Sequence, residues 1–408
     1  MFASLTNKGP DERGIDREMN DRALAPEFVL AAACCRPPAE ARNTAVSAVV
    51  DCVDRAAFHR VLARHRVEGL AHEALVAAGV APDPVLRQTA GEIALEGLRL
   101  AAETGRLQLA LDVAGVANLV LKGATLDVLA WGRIGLKRAW DIDLLVTPDD
   151  ARRARHVLEG LGYDLRDPAD SSDMAFAAWV ALAKESVFRH RQSGVVVELH
   201  WRLADAATLL PDISARSPAQ CVRLSGGLVL RTLASDELFA YLCVHGASHA
   251  WSRLKWIADL GALLAREDDG GRIELYRRSL DLGAGNCSAA ALQLCEALFG
   301  TPPPAALIAE IRSNSKAGKL AALAMDALSH GGGEAEIDTR PLFKDRILLS
   351  HFLFADGWRF RLAEWRRQGV SIDDHIRLRL PPWLSFLYGP IRAPLWLWRR
   401  IVRRLSRP

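Results

Sequence analysis

The 408-residue sequence predicts an α+β chain: a small mixed β-sheet core flanked by N- and C-terminal helical regions. Three observations carry this expectation. Alanine and leucine recur at helical spacing over residues 26–115 and again from 235 to about 365. Between these stretches lie short apolar runs of strand length, punctuated by glycine. Half the residues are hydrophobic and a quarter charged, a globular balance at a length that suggests two or three domains of ~150 residues.

Each element has a local cause. Residues 1–22 read as a flexible leader, polar and without the apolar core of a secretory signal. The helical region 23–115 is interrupted at Pro37-Pro38 and at Ala81-Pro82-Asp83-Pro84. Residues 85–113 predict one long helix, because Ala, Leu, Glu and Arg dominate and no proline intervenes. The core, 116–233, opens with an apolar run at 116–121, read as a buried strand that Lys122-Gly123 ends. A short helix over 125–131 and a loop marked by Gly132 and Gly135 lead to a second strand at 140–146. Thr147-Pro148 supplies an N-cap and a first-turn proline for a helix ending near Gly160 to Gly162. An irregular acidic stretch and a helix around 175–183 follow. Residues 186–191 and 195–203 flank Gln192-Ser193-Gly194 as a hairpin, and 228–233 adds a strand. The C-terminal helical domain, 234–370, starts with Ser235 as N-cap and Asp236 and Glu237 favoured by the helix dipole.

Chemistry concentrates in the β-rich middle. Side chains alternate along a strand, so Asp141 and Asp143 share one face while Ile142 and Leu144 point into the core. Two carboxylates on one face repel unless positive charge lies between them, and hard oxygen ligands favour Mg²⁺. Glu198 is embedded in an apolar run at 195–201, and an unpaired buried carboxylate is costly. Beside the aspartates it completes a three-carboxylate site suited to two metals. A bare Asp-x-Asp recurs by chance in a chain of this length, and a strand-end Asp can cap a helix. Order and context distinguish this one.

Leu121-Lys122-Gly123-Ala124, Asp141-Ile142-Asp143-Leu144-Leu145-Val146 and Val197-Glu198-Leu199-His200-Trp201 together resemble the DNA polymerase β-like nucleotidyltransferase superfamily. More specifically they resemble a bacterial family of largely uncharacterised nucleotidyltransferases. Leu70 with His65-Arg66-Val67 before it, and the run from His245 to Asp259, are further matches, so the resemblance extends over 61–264. The core at 116–233 is then a nucleotidyltransferase core. The resemblance implies Mg²⁺-dependent transfer of a nucleoside monophosphate from an NTP substrate, with pyrophosphate leaving. The acceptor hydroxyl or phosphate belongs to a small molecule, a protein or RNA. Asp141, Asp143 and Glu198 would hold two ions, Mg²⁺ or alternatively Mn²⁺. Gly123 would let backbone N–H groups approach the phosphates at the start of the helix carrying Thr125. Lys122, Lys137 and Arg138 are candidates for phosphate charge, against the plainer reading of solvated basic residues. The position that usually closes this turn with Gly or Ser is Ala124, for which Thr125 or Lys122 can compensate. This departure supports an alternative, a catalytically silent nucleotide-binding scaffold or regulator at a membrane surface in a biosynthetic pathway.

His200, His245, His249 and Arg253 are candidates for substrate contacts. His245 and His249 are four apart on an expected helix, a spacing that can bind zinc, but no adjacent catalytic Glu or third ligand accompanies them. Packing in the core and lining the nucleotide cleft are the other readings.

The formal charge of +3 conceals a division. After Asp374 there are eight arginines and no acidic residue, so the last 34 residues carry +8 and positions 1–374 carry −5. Within the tail, 371–408, residues 395–405 have helical spacing with arginines on one arc and Trp398, Ile401, Val402 and Leu405 opposite. Such a segment can dock on the acidic body, lie on an anionic membrane surface or grip nucleic acid. Seven scattered cysteines without a CxxC exclude a zinc knuckle or disulfide framework and fit a reducing cytoplasm. No uncharged run is long enough to span a bilayer, so the expected location is cytoplasmic, with membrane contact only at the inner face.

Overall fold

Alternation along the central strands divides the molecule into two apolar layers, one on each face of a single sheet. The computed structural model describes residues 24–369. The expected leader 1–22 and basic tail 371–408 lie outside the described residues. Five strands form the sheet: β1 (Asn118–Val120), β2 (Asp141–Val146), β3 (Tyr163–Asp167), β4 (Glu185–His190) and β5 (Val196–His200), in the order β1-β2-β5-β4-β3. The β2–β5 pair is parallel and the other pairs are antiparallel, so the sheet is mixed, as expected. A separate antiparallel pair joins β6 (Ala219–Arg223) to β7 (Val229–Leu233).

Before the sheet come α1 (Pro26–Cys34), α2 (Glu40–Val49), α3 (Arg55–His65), α4 (Glu68–Ala77) and α5 (Pro84–Val113). The start of α5 follows from its sequence: Asp83 Oδ1 accepts the Leu86 N–H at 3.0 Å and Pro84 stands in the first turn. Within the sheet region lie α6 (Ala124–Trp131), α7 (Ala151–Gly160) and α8 (Asp173–Leu182). After β7 come α9 (Ser235–Ser248), α10 (Leu254–Leu264), α11 (Asp269–Asp281), α12 (Gly285–Phe299), α13 (Ile308–Ser313), α14 (Ser315–Ser329), α15 (Phe343–Ser350) and α16 (Trp358–Gly369).

Three expectations need correction. The stretch read as irregular and acidic contains β3, an edge strand of five residues whose alternation rests on Tyr163 and Leu165 alone and which is held by pairing with β4. The strand β6 is also absent from the sequence-based expectation; it is mostly exposed and is held by its partner β7. Ser235 is the first helical residue of α9 rather than its cap, a position taken by Ala234 without a side-chain bond.

On one sheet face, Ile142, Leu144, Val197 and Leu199 pack with Leu107 and Leu111 of α5 and Leu158 of α7. On the other, Leu119, Leu121 and Leu145 join Leu238 of α9 and Ile257 of α10. Asp141, Asp143, Glu198 and His200 have the parity of the second face, so the helices after β7 cover the carboxylates. All seven cysteines are free. Among the described residues no helix is long and apolar enough to cross a membrane.

Candidate active site

Parallel pairing of β2 with β5 sets Asp143 opposite Glu198, so both carboxylates project from the same face. Ligand atoms of Asp143, Glu198 and His200 all lie within 4.8 Å of one another. This donor set fits a divalent cation: two carboxylates supply hard oxygens, Asp141 adds a third on the same strand face, and an imidazole stands beside them.

Lys122 meets this group because β1 continues one residue beyond its end, with the Leu121 N–H donating to the Asp143 carbonyl at 3.0 Å. Its Nζ lies 2.9 Å from Asp143 Oδ1. His200 Nε2 is 3.2 Å from the same oxygen and 3.6 Å from Glu198 Oε2, while its Nδ1 is 2.9 Å from Glu185 Oε2. The consequences for charge are pronounced. Burial alone would raise the Asp143 carboxyl, but Lys122 and His200 hold it well below the usual range. Burial opposes the charge of His200, yet its bonds to Asp143, Glu185 and Glu198 push it up to about 10. Asp141 is driven the other way, to about 6, by burial and by the negative charges of Asp143 and Glu198.

A cavity of about 250 Å³ opens beside these groups. It is lined by Asp141, Asp143, Glu198, Lys122, Gly123, Ala124, Lys137, Arg138, His245 and His249, all singled out in the sequence. Gly123 caps α6 with φ +68° and ψ −129°, a conformation that favours glycine. Thr125 does not line the cavity; it is fully buried and its hydroxyl donates to the Lys122 carbonyl at 3.2 Å. Lys137 lines the cavity but is not a solvated residue. It is buried between Asp127, at 2.8 Å, and Asp259, which also accepts the Trp131 indole N–H at 2.8 Å. Burial opposes its charge, and the two aspartates outweigh that effect and raise its pKa. Arg138 pairs with Glu68 of α4 at 3.1 Å.

His245 Nε2 lies 3.5 Å from Lys122 Nζ, and its ring is 5.0 Å from that of His249, which stacks on Trp256 at 5.2 Å. Burial and the Lys122 charge push His245 well below its usual value, and burial with Lys184 and Lys122 brings His249 to about 4. Among the described residues the two histidines belong to no cluster of three metal-ligating side chains. Arg253 is not brought to the cavity: it pairs with Glu336 at 2.9 Å and donates to the Arg64 carbonyl.

Sequence reasoning gave no role to four charged cavity residues: Asp127 went unnoticed, while Arg66, Lys255 and Asp259 entered only within segments that carry the resemblance. Two carried a readable signal, since Asp127 and Asp259 are acidic residues in mostly apolar helices and therefore require partners. Lys255 is pushed down to about 8 by burial and by Arg66, against the attraction of Asp141.

A family model described as "Uncharacterised nucleotidyltransferase" matches residues 51–300, a span that holds every strand among the described residues and every residue lining the cavity. No curated protein matches the chain.

Proposed function

The chain belongs to that uncharacterised nucleotidyltransferase family, and from this premise we propose that it transfers a nucleoside monophosphate from an NTP to an acceptor hydroxyl or phosphate, releasing pyrophosphate. The observation that carries the reading is the β2–β5 register, which sets Asp143 opposite Glu198, with Asp141 beside them, on one wall of the cavity. Asp143, Glu198 and Asp141 would hold the divalent cation, Mg²⁺ or Mn²⁺. Such an ion, when bound, neutralises charge at the reacting phosphate and makes an acceptor oxygen easier to deprotonate. The chain's own groups prepare the place. His200, anchored by Glu185, orients Asp143. Gly123 leaves the N-terminal N–H groups of α6 open to phosphate oxygens. The covering helices α9 and α10 restrict water, which strengthens every charge interaction inside.

One observation favours a silent nucleotide-binding scaffold. Lys122 already supplies Asp143 with a positive partner, next to a turn that has Ala124 where Gly or Ser is usual in proteins it resembles. Pyrophosphate release separates the two readings. With Mg²⁺, NTPs and cell extract as the acceptor source, the wild-type chain should release pyrophosphate and label an acceptor. Asp143→Ala should lower the rate by about 10³-fold, the order seen when transition-state charge stabilisation is removed. Nucleotide binding without release or labelling would establish the scaffold instead.

A further inference from the structure

Among the described residues, five cationic side chains line the cavity: Arg66, Lys122, Lys137, Arg138 and Lys255. Three are already neutralised, Lys122 by Asp143, Lys137 by Asp127 and Asp259, and Arg138 by Glu68. The other two have no carboxylate at ion-pair distance among the described residues. Lys255 Nζ reaches only the Arg138 carbonyl, at 3.5 Å, and the Arg66 guanidinium lies over the Trp140 ring, 5.4 Å from its centroid. Like charges placed in one cavity without a carboxylate partner raise its free energy until an anion joins them.

Their positions reinforce the point. Arg66 follows α3 and Lys255 lies in the first turn of α10, so two helical segments far apart in sequence, joined where the Leu254 N–H donates to His65 Nδ1 at 3.1 Å, each send one cation to the same cavity. Arg66 also adopts a left-handed backbone, φ +60° and ψ +43°, at a helix end where glycine is favoured. The site thus has a carboxylate wall for a cation and a second wall with unpaired positive charge.

We propose that Arg66 and Lys255 form a polyphosphate-binding wall that takes the β- and γ-phosphates of the nucleoside triphosphate, a role that Lys122 and Lys137 do not share. The identity of the anion rests on the transferase reading; the wall itself does not. Calorimetric titration of the full chain with inorganic tripolyphosphate tests the wall, and NTP turnover with Mg²⁺ tests the reading. Arg66→Met and Lys255→Met should each weaken tripolyphosphate binding tenfold or more, and Lys255→Arg should restore most of it. Lys319→Met, an exposed charge on α14, should leave it within twofold. In turnover, each wall variant should raise KM for the NTP about as much as it weakens tripolyphosphate, with kcat changed less. Unchanged circular dichroism and melting temperature show that the variants fold. Folded variants that bind tripolyphosphate within twofold of wild type overturn the wall, as does a wild-type chain that binds none. Binding that depends on both residues, without pyrophosphate release from any NTP, upholds the wall and overturns the transferase reading.

Discussion

Lys137 illustrates why the role of an ionisable side chain cannot be assigned from its neighbours in sequence. Its local context, a basic pair before an aspartate strand, suggests phosphate binding or solvation, but its partners Asp127 and Asp259 lie 10 and 122 residues away. Breaking one side of a buried pair leaves uncompensated charge. Lys137→Met is therefore expected to cost about 3–5 kcal/mol in urea denaturation, and a loss below about 1 kcal/mol would refute the pinning role. Glu364, which does not line the cavity, provides a pH test. Burial would raise its carboxyl, but bonds from Arg367, His351 and Gln368 bring it from the usual 4.5 down to about 2. Because the folded value is the lower one, the stability this group contributes is complete above 4.5 and is lost as the pH falls through 2. Melting temperatures measured across that window should decline less steeply in Glu364→Gln than in wild type. Parallel curves would exclude Glu364 as a source of acid lability.

Between elements, one close crossing presses the loop before β2 onto α5. A Cβ on Gly97 of α5 would meet the Gly135 Cα at 2.9 Å, and one on Gly135, at φ +81°, would meet the Ala94 Cα at 2.8 Å. The loop pressed there onto α5 delivers Lys137 and Arg138. Gly97→Ala should destabilise by about 1–3 kcal/mol through overpacking and lower pyrophosphate release as the loop shifts. Gly91 lies on the same helix, and a Cβ there would meet nothing within 4 Å. Gly91→Ala should stabilise by up to about 1 kcal/mol, since only helix propensity changes. Paired chemical denaturation curves check both signs. The elements legible in advance have strong local causes. Proline and Asp83 start α5, and an apolar run between turn residues marks β2. β3 and β6 escaped because short polar edge strands are defined by the strands they pair with.

The molecule as a whole builds its cavity from three separated stretches of chain. Arg66, Gly97 and Thr104 come from the first helical region, the carboxylates and the Gly123 turn from the sheet region, and His245, Lys255 and Asp259 from the helices that cover it. Ligand binding should therefore stabilise the entire fold. Mg²⁺ together with NTP at one hundred times the dissociation constant should add about 2.7 kcal/mol, seen as a rise in melting temperature. Asp143→Ala should abolish the Mg²⁺-dependent part of that rise; an equal rise in the variant would place the ion elsewhere.

The carboxylate set, the turn at Gly123 and the α+β division are all written in short stretches of sequence. Alternation on a strand and apolar context are properties of a few consecutive residues, so Asp141 and Asp143 declare their shared face locally, whereas Glu198 joins that face through the β2–β5 register. Which cations are spent and which are free is a matter of tertiary packing alone. Lys122, Lys137 and Arg138 find their carboxylates through long-range packing, while Arg66 and Lys255 reach the cavity without one. Charge pairing depends on distances of a few ångströms between segments far apart in the chain, and only the folded arrangement sets those distances.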